Sequence, residues 1–475
     1  MSRPLPLAGV LRLGRPSDIW FKPALSVVAA VAPPNLGLLA LGRLDLAIYT
    51  MAGSLCALYA HNRPYAARAR ALAWVVLGML GGLAAALLAA SLTRSAVALV
   101  AVGALLAAVQ KVLCDATRIG PPNHVVLTFI SSAALFSPTS LDRIPGHLGP
   151  AAAAGVWAWL VGMAPGLLRP HGPERRATAG ALNATATLTE AHGRGQDTAE
   201  AHAAAAVAAV RAARQALRPA AGTSGTRLAL ERLVVLAEVA LAAPADADPA
   251  ALRARARQVR GNRPVPELAD LTGVDSELAA HPGPLWHRIR PLAPLAVRVA
   301  LGCALAGYAS LALGVGRPYW ALVTAASLYQ ADLALTWGRG VQRVVGNLLG
   351  VLLFAALVPL AHTGEIALVL TCLALNFGAE ALIGRNYWLG SVCVTPMALL
   401  ITEFAGFQEP GRLITERVVD TLVGALVGLA AAVVVPHRER VVRAQRAGPR
   451  TLAATGRSRP HPDQRTGNTT EGVRP

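Results

Sequence analysis

The 475-residue sequence predicts an all-α polytopic membrane protein: about twelve transmembrane helices in two six-helix blocks that flank a helical cytoplasmic insert. Three observations point to that class. Hydrophobic residues make up 54% of the chain and charged residues 15%, with a mean hydropathy of +0.47. Soluble chains of this size carry about 25% charged residues. The apolar residues arrive in runs of roughly 18 or more, the length needed to cross hydrocarbon as helix. Within those runs Ala, Leu, Val and Gly follow one another without alternation, which excludes the strand pattern of an outer-membrane barrel.

In chain order, the first block offers runs at 24–41, 44–60, 71–90, 95–113, 123–140 and 150–168. The second offers 292–313, 319–336, 341–361, 365–383, 387–404 and 417–436. Pro33 and Pro34 interrupt the first run, which predicts a broken or re-entrant helix there. The domains are therefore 1–168, a transmembrane block; 169–287, a cytoplasmic helical domain; 288–437, a second transmembrane block; and 438–475, a tail rich in Arg, Pro, Gly and Thr that reads as disordered. The N-terminus has no apolar core followed by a small-residue cleavage site and reads as an uncleaved cytoplasmic lead-in.

Sidedness follows from the basic residues. With the N-terminus inside, one set of loops carries Arg63, Arg68, Arg70, Lys111, Arg118, Arg339, Arg343 and Arg385. The opposite loops carry Arg43, Arg94, Arg143, Arg317, Arg412 and Arg417. The insert and the tail fall on the richer side, so a multi-pass protein of the inner (plasma) membrane with both termini cytoplasmic is expected.

Inside the insert, residues 198–218 and 226–242 read as strong helix formers with one apolar face, and Arg227, Glu231, Arg232 and Glu238 fit the polar face of the second. Residues 243–287 read as a short helix and a linker. The two blocks also resemble each other. Gly42-Arg43 stands eight residues before Thr50, and Gly316-Arg317 eight before Thr324. A small-xxx-small pair then follows in each, Gly78/Gly82 and Gly346/Gly350. Six runs per block would give both copies the same orientation, a parallel repeat.

A net charge of +18 could signal nucleic acid on a soluble domain, but here it lies between and beyond apolar runs, so lipid headgroups are the expected partner and nucleic acid is not. Cys56, Cys114, Cys303, Cys372 and Cys393 lie in or beside apolar runs without CxxC spacing and read as small buried hydrophobes. Neither lysine, Lys22 or Lys111, sits in a P-loop, and no HExxH, nucleophile elbow or His/Cys cluster occurs. No catalytic residue, metal or cofactor is expected, and the chain reads as no enzyme.

Function should then reside in polar residues inside spans, where burial makes them costly. Arg339, Arg343, Asn347 and Gly350 share one helical face by their spacing, and two guanidinium groups there would meet an anion. The alternative is that the arginines snorkel to headgroups. Gln330 is an uncharged hydrogen-bonding candidate. Asp332 can pair with Arg339 or Arg343 or exchange a proton, and Glu380 and Asp420 are further proton-coupling candidates. Tyr319 and Trp320 fit an interfacial aromatic belt or an aromatic wall for a substrate. Glu416, Arg417 and Asp420 are spaced for local ion pairing.

Residues 319–350, with Tyr-Trp, Gln-x-Asp and Arg-Gly-x-x-Arg-x-x-Gly-x-x-x-Gly, resemble the fusaric acid resistance protein-like family of membrane transporters. So do Asn386-Tyr387 before Thr395-Pro396, and Arg417-x-x-Asp420-x-x-x-Gly424. That family is similar to the plant aluminium-activated malate transporters. The resemblance implies export of small organic anions such as aromatic carboxylic acids. Arg343 and Arg339 would attract the anion, while Gln330, Asn347, Tyr319 and Trp320 would contact it. Where the family usually has Gly-Thr, this chain has Gly346-Asn347, so substrate preference does not carry over. No carboxylate falls near the middle of a run, which leaves a channel-like anion pathway and a non-transporting scaffold as alternatives. A homo-oligomer is compatible with each.

Overall fold

The twelve predicted runs are all helical, but their helices come in two lengths. The structure, a computed structural model, describes residues 9–14, 20–193, 199–217, 225–261, 284–330, 333–404 and 406–434. Among the described residues, eight segments are long and apolar enough to cross a membrane. They are α1 (Phe21–Ala40), α3 (Tyr65–Leu92), α4 (Ala96–Thr117), α6 (Ile144–Met163), α13 (Ala293–Ala312), α15 (Leu333–Ala361), α16 (Glu365–Ile383) and α18 (Pro410–Val434). The one-turn α7 (Pro165–Leu168) extends α6, and α12 (Leu285–Ile289) leads into α13.

Four segments are shorter: α2 (Ala47–Ser54), drawn out by flanking 3-10 turns to Leu44–Leu58, α5 (Val125–Leu135), α14 (Tyr319–Leu328) and α17 (Tyr387–Glu403). The ten residues of α14 rise about 15 Å, half of a hydrocarbon core. Twelve full-length spans were expected; eight have that length. The run 319–336 shows why, because its helix stops at the extended Tyr329 beside polar Gln330, and α15 begins only at Leu333. Both blocks share one order: long, short, long, long, short, long.

The first helix corrects a second expectation. Pro33 and Pro34 lie inside an unbroken α1. A proline at 33 leaves the Ala29 carbonyl without its usual helical donor. The Trp157 indole of α6 donates to that oxygen at 2.9 Å, so a neighbouring helix supplies the missing bond.

Within blocks, α2 packs on α6 as α14 packs on α18, and α3 meets α5 and α6 as α15 meets α17 and α18. Across blocks, α1 lies against α16 and α4 against α13, and the short α5 touches the short α14. Gly346 and Gly350 admit α17: a Cβ on either would lie 2.6 Å from the Cβ of Ser391 or of Thr395. In the first block Gly82 is equally tight, 2.7 Å from the Gln110 amide, whereas a Cβ on Gly78 meets nothing within 4 Å. Cys56, Cys114, Cys303 and Cys372 are buried and Cys393 partly so, all unbridged, as expected of small hydrophobes.

The insert is a helical bundle of α8 (Gly172–Gly193), α9 (Ala199–Ala216), α10 (Gly225–Ala242) and α11 (Pro249–Arg260), with α8 touching the other three. Leu182, Leu230, Leu233, Val234 and Leu252 form its core. Glu238 of the predicted polar face takes two hydrogen bonds from Arg214, at 2.6 and 2.5 Å. The helix over 172–193 was not anticipated, because its threonines and arginines hide the apolar face. Residues 262–283, in the expected linker, and the tail 438–475 lie outside the described residues.

Candidate functional site

The ends of the four shorter helices surround a cavity of about 1480 Å³. Leu55 and Leu58 after α2 line it, as do Ser327 and Gln330 at the end of α14. The first residues of α5 (Val125 and Val126, with Asn123 and His124 before them) and of α17 (Tyr387) line it from the two blocks. Each block thus presents one helix N-terminus and one C-terminus, whose opposite partial charges offset each other, so the field of the site comes from its side chains. His171, Glu174, Gln215 and Arg227 close over the cavity from the insert.

The charge of the lining is one-sided. Arg63, Arg70, Lys111, Arg118, Arg227, Arg288, Arg339, Arg343, Arg385 and Arg417 stand against only Glu174 and Glu380 among the described residues. Lys111 is compensated by Asp115 at 2.9 Å. His61, in the loop before α3, adds no charge: burial, then the neighbouring Arg68, hold it down to about 4, and it accepts from Arg68 at 3.1 Å.

Two of these arginines are buried deep in the cavity. Arg343 is 5% exposed and donates from Nη1 to the Tyr387 hydroxyl at 2.9 Å, while its Nε has no partner. The Tyr387 ring also carries the Arg339 guanidinium, 3.9 Å above its centroid. Arg417 is 1% exposed and stacks 4.0 Å over Trp320, with Nε and Nη1 both unpartnered. Arg343 is near enough to act electrostatically on Arg417. Two like charges buried together with N–H groups unsatisfied are costly, and an anion between them removes that cost. Trp320 stacks in turn on Phe129 at 5.4 Å, so an apolar aromatic wall adjoins the guanidinium groups.

Of the predicted contacts, Arg343, Arg339, Gln330 and Trp320 line the cavity, and so does Glu380. The arginines do not snorkel, since both turn onto Tyr387. Tyr319 and Asn347 do not line it. Tyr319 is 6% exposed and packs on Phe136 at 5.8 Å, so the Tyr-Trp pair is core rather than an interfacial belt. Asn347 donates to Thr421 at 3.0 Å and accepts from Thr395 at 2.7 Å, tying α15 to α18 and α17. Asp420 is fully buried, accepts from Ser310 at 2.5 Å, and also lies outside the lining. Asp332 lies outside the described residues.

Arg417 was read for local pairing and turns out to be a site residue. Adjacent residues on a helix point about 100° apart, so Glu416 and Arg417 cannot serve the same face. Glu416 pairs with Arg412 at 2.8 Å and Arg317 at 3.4 Å, on the side away from the cavity. Segment 9–14 was not anticipated either. Gln342 and Asn386 donate to the Val10 carbonyl at 2.8 and 3.1 Å, and Trp388 to that of Leu11 at 3.1 Å, so the segment is strapped beside the cavity. No sequence pattern announces such a contact, because its acceptors are backbone carbonyls.

Residues 304–431 match the family described as fusaric acid resistance protein-like, which bears out the resemblance carried by the second block. An uncharacterized membrane protein of Bacillus subtilis (strain 168), YvaC, is 32% identical over 131 residues, 27% of this chain and 21% of that protein. Uncharacterized proteins of Haemophilus influenzae and of Synechocystis are 29% and 25% identical, over 34% and 32% of this chain and 22% and 20% of theirs. The matches thus span about a fifth of the length of these curated relatives. No solved structure matches the chain.

Proposed function

We propose that this fusaric acid resistance protein-like membrane protein is a transporter that exports small organic anions, aromatic carboxylates first among them, from the cytoplasm across the inner (plasma) membrane. The observation that carries the reading is the pair of buried guanidinium groups, Arg343 and Arg417, each with unpartnered N–H, in the lining of a cavity whose charged residues are mostly cations. Charge selects an anion, and the Trp320, Phe129 and Tyr387 rings favour an aromatic body beside it. Nothing in this chemistry calls for bond making, so the chain acts without a cofactor and is no enzyme.

Two copies of a six-helix unit, related by an axis along the membrane normal, account for the architecture. The shared order of long and short helices supports this, and so does the reciprocal packing of α1 on α16 and α4 on α13. The cavity is lined by residues 60–64, 118–124, 170, 171, 174, 288, 330 and 384–385, the alternate turns of the chain, and by none of the intervening ones. That supports a reading with twelve passes, the short helices counted, in which those turns share a side with the insert. The positive-inside rule makes that side cytoplasmic.

The cavity is blind. On α17 its lining runs from Tyr387 to Ala398, and buried Leu399, Leu400 and Ile401 lie beyond. A closed far end favours alternating access over a permanently open channel. In reconstituted vesicles, labelled benzoate is expected to move in response to a pH gradient. Flux that follows only the anion's electrochemical gradient would make the protein a channel. Absence of flux for benzoate and for other organic anions would leave a scaffold.

A further inference from the structure

Beyond the blind end of the cavity lies a second cluster of ionisable groups that the binding site does not use. Glu403, the last residue of α17, is 2% exposed. Its Oε2 meets His362 Nε2 at 2.9 Å, and its Oε1 is buried without a partner. His362 stands just after α15, packs on Phe407 at 4.5 Å, and keeps a quarter of its side chain exposed. It therefore connects a buried carboxylate with the surface opposite the insert. The other charged and titratable groups acting on Glu403 are Arg317 ahead of α14 and Cys372 on α16.

The cluster is coupled to the cavity through short lengths of helix. From Ala398, where the lining ends, to Glu403 is five residues, about 8 Å of rise. Arg317, which pairs with Glu416 and donates to Gln408, is three residues from Trp320. Glu416 is the immediate neighbour of Arg417. Gln408 donates to the Thr402 carbonyl at 3.1 Å, which closes the ring of contacts back onto α17. The groups that hold the anion and the groups that seal the far side thus lie on or directly beside the same four helices, α14, α15, α17 and α18.

We infer that Glu403 and His362 are the proton-binding pair of the pathway's far gate, and that the Arg317–Glu416–Arg412 ion pairs hold that gate shut. A proton from the far-side solution reaches Glu403 through the exposed edge of His362. The first proton leaves the pair hydrogen-bonded; a second, which sets a cationic His362 beside a neutral Glu403 with no ion pair between them, frees α17 to part from the end of α15. Both protons return to the same solution when the pair re-forms. The inference rests on the transport reading.

Labelling tests it in the full-length chain, with the five cysteines replaced by alanine and Val394, which lines the cavity, changed to cysteine. A membrane-impermeant maleimide is added from the face opposite the insert. Because only the thiolate reacts and it is scarcer at pH 5, each rate is divided by that of an exposed control cysteine at the same pH. This relative rate is expected to be low at pH 7.5 and about tenfold or more higher at pH 5, the response of a two-state gate whose balance shifts. Glu403→Gln and, independently, His362→Gln should show the high relative rate already at pH 7.5, without further dependence on pH. Equally slow labelling at both pH values and in both variants would overturn the gate. Benzoate flux in the same vesicles separates the two ideas. Flux with pH-independent labelling sinks the gate alone, whereas pH-dependent labelling without flux of any organic anion upholds the gate and sinks the transport reading.

Discussion

Replacing Arg417 by alanine is expected to lower anion transport by about 100-fold while the protein still inserts and folds. Each hydrogen bond from a charged donor is worth ~1.5–3 kcal/mol, and Arg417 has two unpartnered N–H groups to offer an anion. A loss of about 3 kcal/mol corresponds to roughly two orders of magnitude in rate. Arg417→Lys should retain less than about a tenth of the activity, because an ammonium keeps the charge but loses the flat stack on Trp320 and the forked donors. Arg343→Ala should abolish transport as well, since it removes the other guanidinium of the pair. Initial rates of labelled benzoate uptake, normalised to inserted protein, provide the comparison. The ligand-free Arg417→Lys protein should melt close to the parent, because an ammonium keeps a positive charge near buried Asp420 and most of the volume that alanine would empty. Loss of rate without loss of stability marks a binding residue; loss of both would mark a structural one.

Gly53→Ala is expected to prevent recovery of folded protein. A Cβ at that position would lie 2.1 Å from the Ala151 carbonyl oxygen and 2.5 Å from the Gly155 backbone nitrogen. Both are backbone atoms of α6, so relief requires moving a helix rather than turning a side chain. Overpacking of this severity costs about 3 kcal/mol or more. Gly78→Ala is the matched control. It lies in the long α3, its added Cβ meets nothing within 4 Å, and alanine is the better helix former. The fraction of monodisperse protein after detergent extraction and its Tm should collapse for the first variant and hold or rise for the second. At the corresponding contact of the second block, α14 against α18, the closely approached glycine is on the other helix: Gly424 of α18, whose Cβ would sit 2.5 Å from the Ala321 carbonyl of α14. Its alanine variant should fail in the same way, as expected if the two blocks are built alike.

Hydropathy located the twelve apolar helices found among the described residues, because each apolar run is long enough to raise the average of its window. It did not report length, because the same average hides the polar turn that ends a short helix, as Gln330 does in the run 319–336. Tyr329 is fully buried, yet it ends α14. The arginines of α15 were legible from their spacing on one face. Arg417 was obscured by the acidic neighbour beside it, and only helical geometry separates the two. Asn347 shows the opposite error. It has the right face and the right chemistry, but Thr395 and Thr421 already occupy its hydrogen bonds. The aromatic pair Tyr319-Trp320 looked like a belt because it begins a run; packing of α5 against α14 buries it. Partners supplied by a distant part of the chain, such as Trp157 for α1 or segment 9–14 for Asn386, leave no local pattern to find.

The central claim is that the cavity binds an organic anion through Arg343 and Arg417, and equilibrium stabilisation of the purified protein tests it most directly. A ligand bound only by the folded state stabilises it by RT ln(1 + L/Kd) at free concentration L, so Tm keeps rising with the logarithm of ligand concentration above Kd. Benzoate should raise the Tm with that dependence, while benzamide, nearly the same shape but uncharged, should not. The Arg343→Ala/Arg417→Ala double variant should respond to neither. Equal shifts from benzoate and benzamide, or a benzoate shift that survives in the double variant, would contradict the account.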